Sequence, residues 1–248
     1  MPKITHILFD CDNTLVLSEH IAFAACAELA NEVLERWKPE VADRFDGPTL
    51  QRTFVGQNFR GMLISLCEKY GFELPGDELD KYVARELDAV TAALKRDAEP
   101  CRGVLPVLQR LQSLGNYTLA VVSSSALPRV VASLERAGLS PFFAPNHIYS
   151  AITSLPTPTS KPDPAVYLHA LRDLGTDASR AVAVEDSKSG ATAAVRAGIR
   201  LVGYAGVYEE GREREEAKEM LGGVGVVKVI EGWERFAGAL EEIEKEGA

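Results

Sequence analysis

Asp10 and Asp12 stand one residue apart at the end of an apolar run, in LFDCDNTLVLSEH at residues 8–20. Carboxylates this close repel, so a folded chain tolerates both by turning them to water or by sharing something positive between them. More polar groups fall at comparable points. Ser123, Ser124 and Ser125 follow the apolar YTLAVV, Lys161 opens KPDP ahead of a helical run, and Glu185 and Asp186 follow AVAV. Asp10, Asp12, Glu185 and Asp186 in one crevice overload it with negative charge, which Lys161 alone does not offset. A hard divalent cation with oxygen ligands does, and Mg2+ is the first choice. Such a cation, with positions left open, favours a phosphate oxygen as a further ligand. Serine hydroxyls, backbone N–H groups at a helix start and a lysine complete a phosphate cradle. Asp10 can then attack phosphorus to form an aspartyl-phosphate, while Asp12 protonates the leaving oxygen and later deprotonates water. The cation and Lys161 neutralise charge on the transferring group.

Taken singly, each residue has a plainer reading. Asp10 and Asp12 can be turn formers, the serines a helix N-cap, Lys161 a solvated lysine and Asp186 a cap for the next helix. Acids, hydroxyls and a lysine at four strand or helix ends favour the chemical reading instead.

For these groups to meet, the apolar segments must be neighbouring strands whose carboxyl ends share one crevice. Residues 3–9 read as a buried strand, continuous in Ile and Leu. From Ser18, a candidate N-cap, helical spacing takes over. Ile21, Ala25, Leu29, Val33 and Trp37 form one stripe, and Phe59, Met62, Leu63, Leu66 and Tyr70 a second. A third, starting near Asp77, joins Leu79, Tyr82, Val83, Leu87, Val90 and Leu94. Past Pro100, strands are predicted at 117–122, 147–149, 181–184, 199–204 and 226–230, and helices at 126–137, 164–174 and 190–197. Alternation of this kind predicts a parallel sheet with right-handed crossovers. The predicted division is an α/β core of residues 1–16 and 100–248 with a helical lobe at 17–99. TSLPTPTS at 153–160 reads as an extended loop, and the acidic stretch 231–248 as a solvated terminal helix.

The chain of 248 residues has a formal net charge of -9, which argues against general nucleic-acid binding. No apolar run is long enough to cross a bilayer, and MPKIT does not open a signal peptide, so a cytoplasmic protein without membrane attachment is expected. Cys11, Cys26, Cys67 and Cys101 are scattered, without a CxxC pair, and read as reduced thiols. The four histidines show no metal-ligand spacing, and neither a Walker A loop nor a thiol-phosphatase signature is present. Nothing in the sequence sets an oligomeric state, and a monomer is compatible with it.

The motifs Asp10-x-Asp12-x-Thr14 after an apolar strand, Ser123 after a second, Lys161 before Pro162, and Glu185-Asp186, in this order, resemble those of the haloacid dehalogenase superfamily of phosphatases. The resemblance implies an α/β fold, a doubly wound, mostly parallel Rossmann-like sheet carrying an inserted α-helical cap. It implies a phosphomonoesterase acting on a small phosphorylated metabolite such as a sugar phosphate or sugar-acid phosphate. It also implies the catalytic set Asp10, Asp12, Ser123 and Lys161, with Asp10 as nucleophile and Asp12 as acid and base. Mg2+ would be held by Asp10, the Asp12 backbone carbonyl and Asp186, with Glu185 supporting the metal shell. Ser123 and Lys161 would bind the phosphate, and Ser124 and Asn13 join them as candidates. In the cap stretch FVGQNFRGML at 54–63, Gly56 breaks the helical pattern and Gln57, Asn58 and Arg60 are the candidate readers of the leaving group. Arg60 suits a second anionic group such as a carboxylate. The sequence departs from the family in places. Asn13 replaces the usual Gly, Leu17 a common Asp, and Ala22 stands where the β-phosphoglucomutase branch has His. That last difference favours a phosphatase over the alternative, a sugar-phosphate mutase. Asp12 weighs against carbon–halogen chemistry. A regulatory protein that binds a phosphorylated ligand without turnover is the alternative of another class.

Overall fold

A computed structural model describes residues 3–54 and 57–246. The chain divides into two units, one formed by the residues up to Leu17 together with those from Glu99, the other by Ser18–Ala98. The first unit opens with β1 (His6–Phe9) and the two-residue β2 (Val16–Leu17). The second unit is helical: α1 (Glu19–Trp37), α2 (Gly47–Thr53), α3 (Phe59–Tyr70) and α4 (Gly76–Asp97). The first unit then resumes with β3 (Glu99–Pro100), α5 (Val104–Leu114), β4 (Thr118–Ser123), α6 (Leu127–Arg136) and β5 (Ile148–Ser150). It ends with α7 (Ala165–Asp173), β6 (Ala181–Glu185), α8 (Lys188–Arg196), β7 (Arg200–Tyr204), α9 (Arg212–Gly222), β8 (Lys228–Ile230) and α10 (Phe236–Glu246).

The sheet has the order β5-β4-β1-β6-β7-β8, with every pairing parallel. This is the α/β, doubly wound sheet expected. β1 lies at its centre because its side chains are apolar on both faces. Leu8 belongs to the cluster of Ala120, Val122, Tyr167 and Ala183. On the opposite face Phe9 packs among Phe143, Trp233 and Phe236, with ring centroids 5.9–6.1 Å away. Phe9 is level with Val121 of β4 and Val184 of β6. The next residue of β1 and the last residues of its neighbours therefore leave the sheet side by side.

In the helical unit α1 packs on α2 and α4, burying Ile21, Ala25, Leu29 and Val33. Glu32 of α1 forms a two-pronged ion pair with Arg85 of α4 at 2.6 and 2.7 Å. Ser18 precedes α1, but its side chain makes no cap hydrogen bond. Asp46 and Asn58 do cap α2 and α3, through Thr49 N and Gly61 N.

Several elements differ from the sequence prediction. β1 begins at His6, because Thr5 N already turns to Arg180 O, although Ile4 is buried. α5 and α9 were not anticipated: Pro106 sits within the first turn of α5, and α9 is mostly charged. The C-terminal stretch is more than a solvated helix, since Trp233, Phe236, Ala239, Leu240 and Ile243 are buried. Leu17, which departs from the family pattern, takes a ladder position opposite Glu99. No helix among the described residues is long and apolar enough to cross a membrane.

Asn13 alone among the described non-glycine residues has positive φ, at 58°. Its N–H reaches Val16 O at 2.7 Å, closing the turn that follows β1. Asn tolerates this left-handed region better than branched residues. Asn13→Gly should leave thermal stability nearly unchanged, and Asn13→Val should cost about 1–2 kcal/mol in denaturant unfolding. Equal stability of the two variants would contradict a required left-handed turn.

Candidate active site

The parallel register brings the strand-end groups of β1, β4 and β6 together. Asp10 N donates to Val184 O at 2.9 Å, which ties the first residue beyond β1 to β6. Lys161 arrives from the loop before α7, and its side chain is only 3% exposed. Its Nζ lies 2.5 Å from Asp10 Oδ1, 2.6 Å from Glu185 Oε1 and 2.7 Å from Val122 O. Its backbone N donates to Ser124 Oγ at 3.1 Å.

Asp12 sits at the edge of this buried group, half-buried. Its Oδ2 accepts from Ser125 Oγ at 2.8 Å and from Ser123 Oγ at 3.2 Å. Ser123 Oγ in turn accepts from Ser125 N at 2.9 Å. Asp186 is oriented from two sides: Thr14 Oγ1 donates to its Oδ1 at 3.2 Å, and Tyr208 Oη donates to its backbone O at 3.1 Å.

Glu185 is fully buried. Its Oε1 accepts from Tyr167 Oη at 2.5 Å as well as pairing with Lys161, whereas its buried Oε2 has no hydrogen-bond partner among the described residues. The carboxylate lies against the start of α8, where a Cβ on Gly190 would stand 1.8 Å from Oε2. Only glycine leaves Glu185 this room.

Asp10, Glu185 and Asp186 each place one carboxylate oxygen within 4.8 Å of the others, all three buried. This all-oxygen, anionic donor set fits a hard divalent cation such as Mg2+. The electrostatics agree, because Lys161 pairs with only two of the three acids, Asp10 and Glu185. Burial is the largest influence on Asp10 and lifts its carboxyl to about 8; Lys161 opposes this, and the Glu185 and Asp12 charges reinforce it. Burial also raises Glu185, against the pull of Lys161 and the Tyr167 hydroxyl. Burial alone would lower Lys161, but Asp10 and Glu185 overcome it and hold the ammonium above its ordinary value. Burial pushes the Cys11 thiol, between the two aspartates, well above its usual range, so it remains an inert protonated thiol.

The sequence model of the haloacid dehalogenase-like hydrolases matches residues 4–198. The chain belongs to this family. A phosphoglycolate phosphatase of Caulobacter vibrioides is 31% identical over 217 residues, covering 87% of this chain and 83% of its own. A phosphorylated carbohydrates phosphatase of Thermotoga maritima is 28% identical over 223 residues, covering 90% and 93%. Among solved structures, a haloacid dehalogenase family hydrolase of Deinococcus radiodurans with bound phosphate and sodium is similar at 27% identity and a TM-score of 0.70, covering 97% of this chain and 96% of its own.

In this hydrolase the residues singled out from sequence fall into two groups. Asp10, Asp12, Ser123, Ser124, Lys161, Glu185 and Asp186 come together at the sheet's carboxyl edge, whereas the Asn13 N–H is spent on its own turn. Of the residues in the helical unit, Gln57 accepts from Ser65, Asn58 caps α3, and Arg60 pairs with Asp80 at 2.5 Å. Gly56 lies outside the described residues. Ser125, Tyr167, Gly190 and Tyr208 had no assigned role. Of these, Ser125 stands in the serine run, but the other three hold the site from helices or loops and carry no local mark.

The raised Asp10 carboxyl gives a signed pH dependence for the metal-free protein. An unfolded aspartate titrates at about 4. Between there and about 8 the folded chain holds an extra proton, so this group's contribution to stability falls as pH rises through that window. With a chelator present, the melting temperature should drop between pH 5.5 and pH 8.5, and Asp10→Asn should shrink the drop. An identical drop in that variant would contradict the assignment.

Proposed function

We propose that the chain is a Mg2+-dependent phosphomonoesterase of small phosphorylated metabolites, sugar phosphates or sugar-acid phosphates, working through an aspartyl-phosphate. The observation that carries this is the buried Asp10 carboxylate held by Lys161 beside Glu185 and Asp186, with Asp12 steadied by two serine hydroxyls at its edge. The phosphatases of Caulobacter vibrioides and Thermotoga maritima support the substrate class, and phosphate and sodium in the Deinococcus radiodurans hydrolase support an anion–cation site.

Asp10, Asp186 and Glu185 would hold Mg2+, with the Asp12 backbone carbonyl as a further ligand. When bound, Mg2+ supplies the positive charge that lets these acids and a phosphate share one crevice. Ser123, Ser124 and Lys161 orient the phosphate. Asp10 forms a bond to phosphorus as the ester P–O bond breaks, and Asp12 delivers its proton to the departing oxygen. Asp12 then takes a proton from a water whose oxygen attacks the phosphoryl group, which frees Asp10 and orthophosphate. The two serine hydroxyls on Asp12 Oδ2 fix where that proton is exchanged. In this reading the α/β unit is the hydrolase core and the helical unit its cap, with Gln57, Asn58 and Arg60 as selectors of the leaving group. The free cysteines suit a reducing compartment and support a cytoplasmic placement.

A panel of phosphorylated metabolites tests the reading by orthophosphate release. Release should require Mg2+ and vanish in Asp10→Asn, and Asp12→Ala should slow it by about 10²–10⁴-fold. Undiminished hydrolysis under chelator would overturn the cation's role. Interconversion of sugar-phosphate isomers without net phosphate would overturn the phosphatase reading.

A further inference from the structure

An ammonium has three N–H groups. That of Lys161 faces three acceptors within 2.7 Å: Asp10 Oδ1, Glu185 Oε1 and Val122 O. Its donors are therefore fully used, yet phosphate binding requires at least one of them. An acceptor left behind in so buried a place costs free energy unless another donor holds it.

Glu185 Oε1 has that other donor. The hydroxyl of Tyr167 reaches it at 2.5 Å, whereas among the described residues the Asp10 carboxylate has a side-chain hydrogen bond from Lys161 alone. Tyr167 is completely buried in α7, six residues beyond Lys161. Its ring also lies 5.3 Å from the ammonium, which keeps the lysine close whichever acceptor it uses. Gly190 fixes the same carboxylate from the other side by leaving it room against α8.

We infer that Tyr167 is a positioning residue: its hydroxyl keeps Glu185 Oε1 satisfied, so that Lys161 can turn one N–H from Glu185 to the substrate phosphate. This rests on the phosphatase reading above and deepens it. Without the hydroxyl, Lys161 is the one hydrogen-bond donor left to Oε1 among the described residues and is held back from the phosphate. The lysine–aspartate contact and the all-oxygen cation site are retained.

Tyr167→Phe keeps the ring and its volume and removes only the hydroxyl. Wild type and variant, both saturated with Mg2+, are compared for kcat and KM with p-nitrophenyl phosphate and for competitive inhibition by orthophosphate. Calorimetry gives their Mg2+ affinities, and thermal melting their stability. KM and the orthophosphate inhibition constant should rise together by about tenfold, while Mg2+ affinity changes by less than about threefold. Unchanged phosphate affinity would overturn the inference, whatever happens to kcat. Loss of Mg2+ and phosphate affinity in equal measure, alongside a lowered melting temperature, would mark a packing role and overturn it too. A wild type that neither hydrolyses the ester nor binds orthophosphate would remove the phosphatase reading itself. An active wild type matched by the variant would remove this inference alone.

Discussion

The buried ammonium of Lys161 between Asp10 and Glu185 is the contact on which the site depends. That cation pairs with Asp10 and Glu185, while Asp186 joins the same acidic cluster and Asp12 lies nearby, so the site carries a deficit of positive charge. Desolvation makes each uncompensated acid expensive, so such a cluster persists only where protons, a metal ion or both relieve it. The raised Asp10 carboxyl is the protonic form of that relief. A divalent cation would be the other, and it would leave Asp10 ionised and able to attack.

The sheet makes this crowding unavoidable. β1 runs between β4 and β6 in parallel register, so the first residue past each strand end emerges on one edge. The apolar faces of Leu8 and Phe9 hold β1 at the centre, and the acids follow because they are next in the chain. Surrounding groups then restrict each acid to one orientation. Thr14 and Tyr208 hold Asp186, Ser123 and Ser125 hold Asp12, and Tyr167 with Gly190 holds Glu185.

What the sequence made legible followed from contrast. An apolar run ending abruptly in Asp, Ser or Glu announces both a buried strand and its polar tip, and β1, β4 and β6 were found that way. The supporting residues lacked that contrast. Tyr167 in a helix reads as one more core aromatic, and Gly190 as an ordinary helix residue, until the Glu185 side chain is placed beside them. α9 escaped notice because its exposed face is a run of charge with few apolar residues. α10 is the terminal helix expected, but its run of acids concealed a buried face, although Phe236, Leu240 and Ile243 already carry helical spacing. Arg60 shows a different limit: a lone arginine carries no indication of its partner, and here the partner is Asp80.

The charge deficit is tested most directly by calorimetric titration of Mg2+ into the metal-free protein near neutral pH, repeated in buffers of different ionisation enthalpy. If the cation takes over from the proton on Asp10, binding should release about one proton per Mg2+, and Asp10→Asn should abolish that release. Mg2+ binding without proton release, or no binding at millimolar Mg2+, would contradict the account.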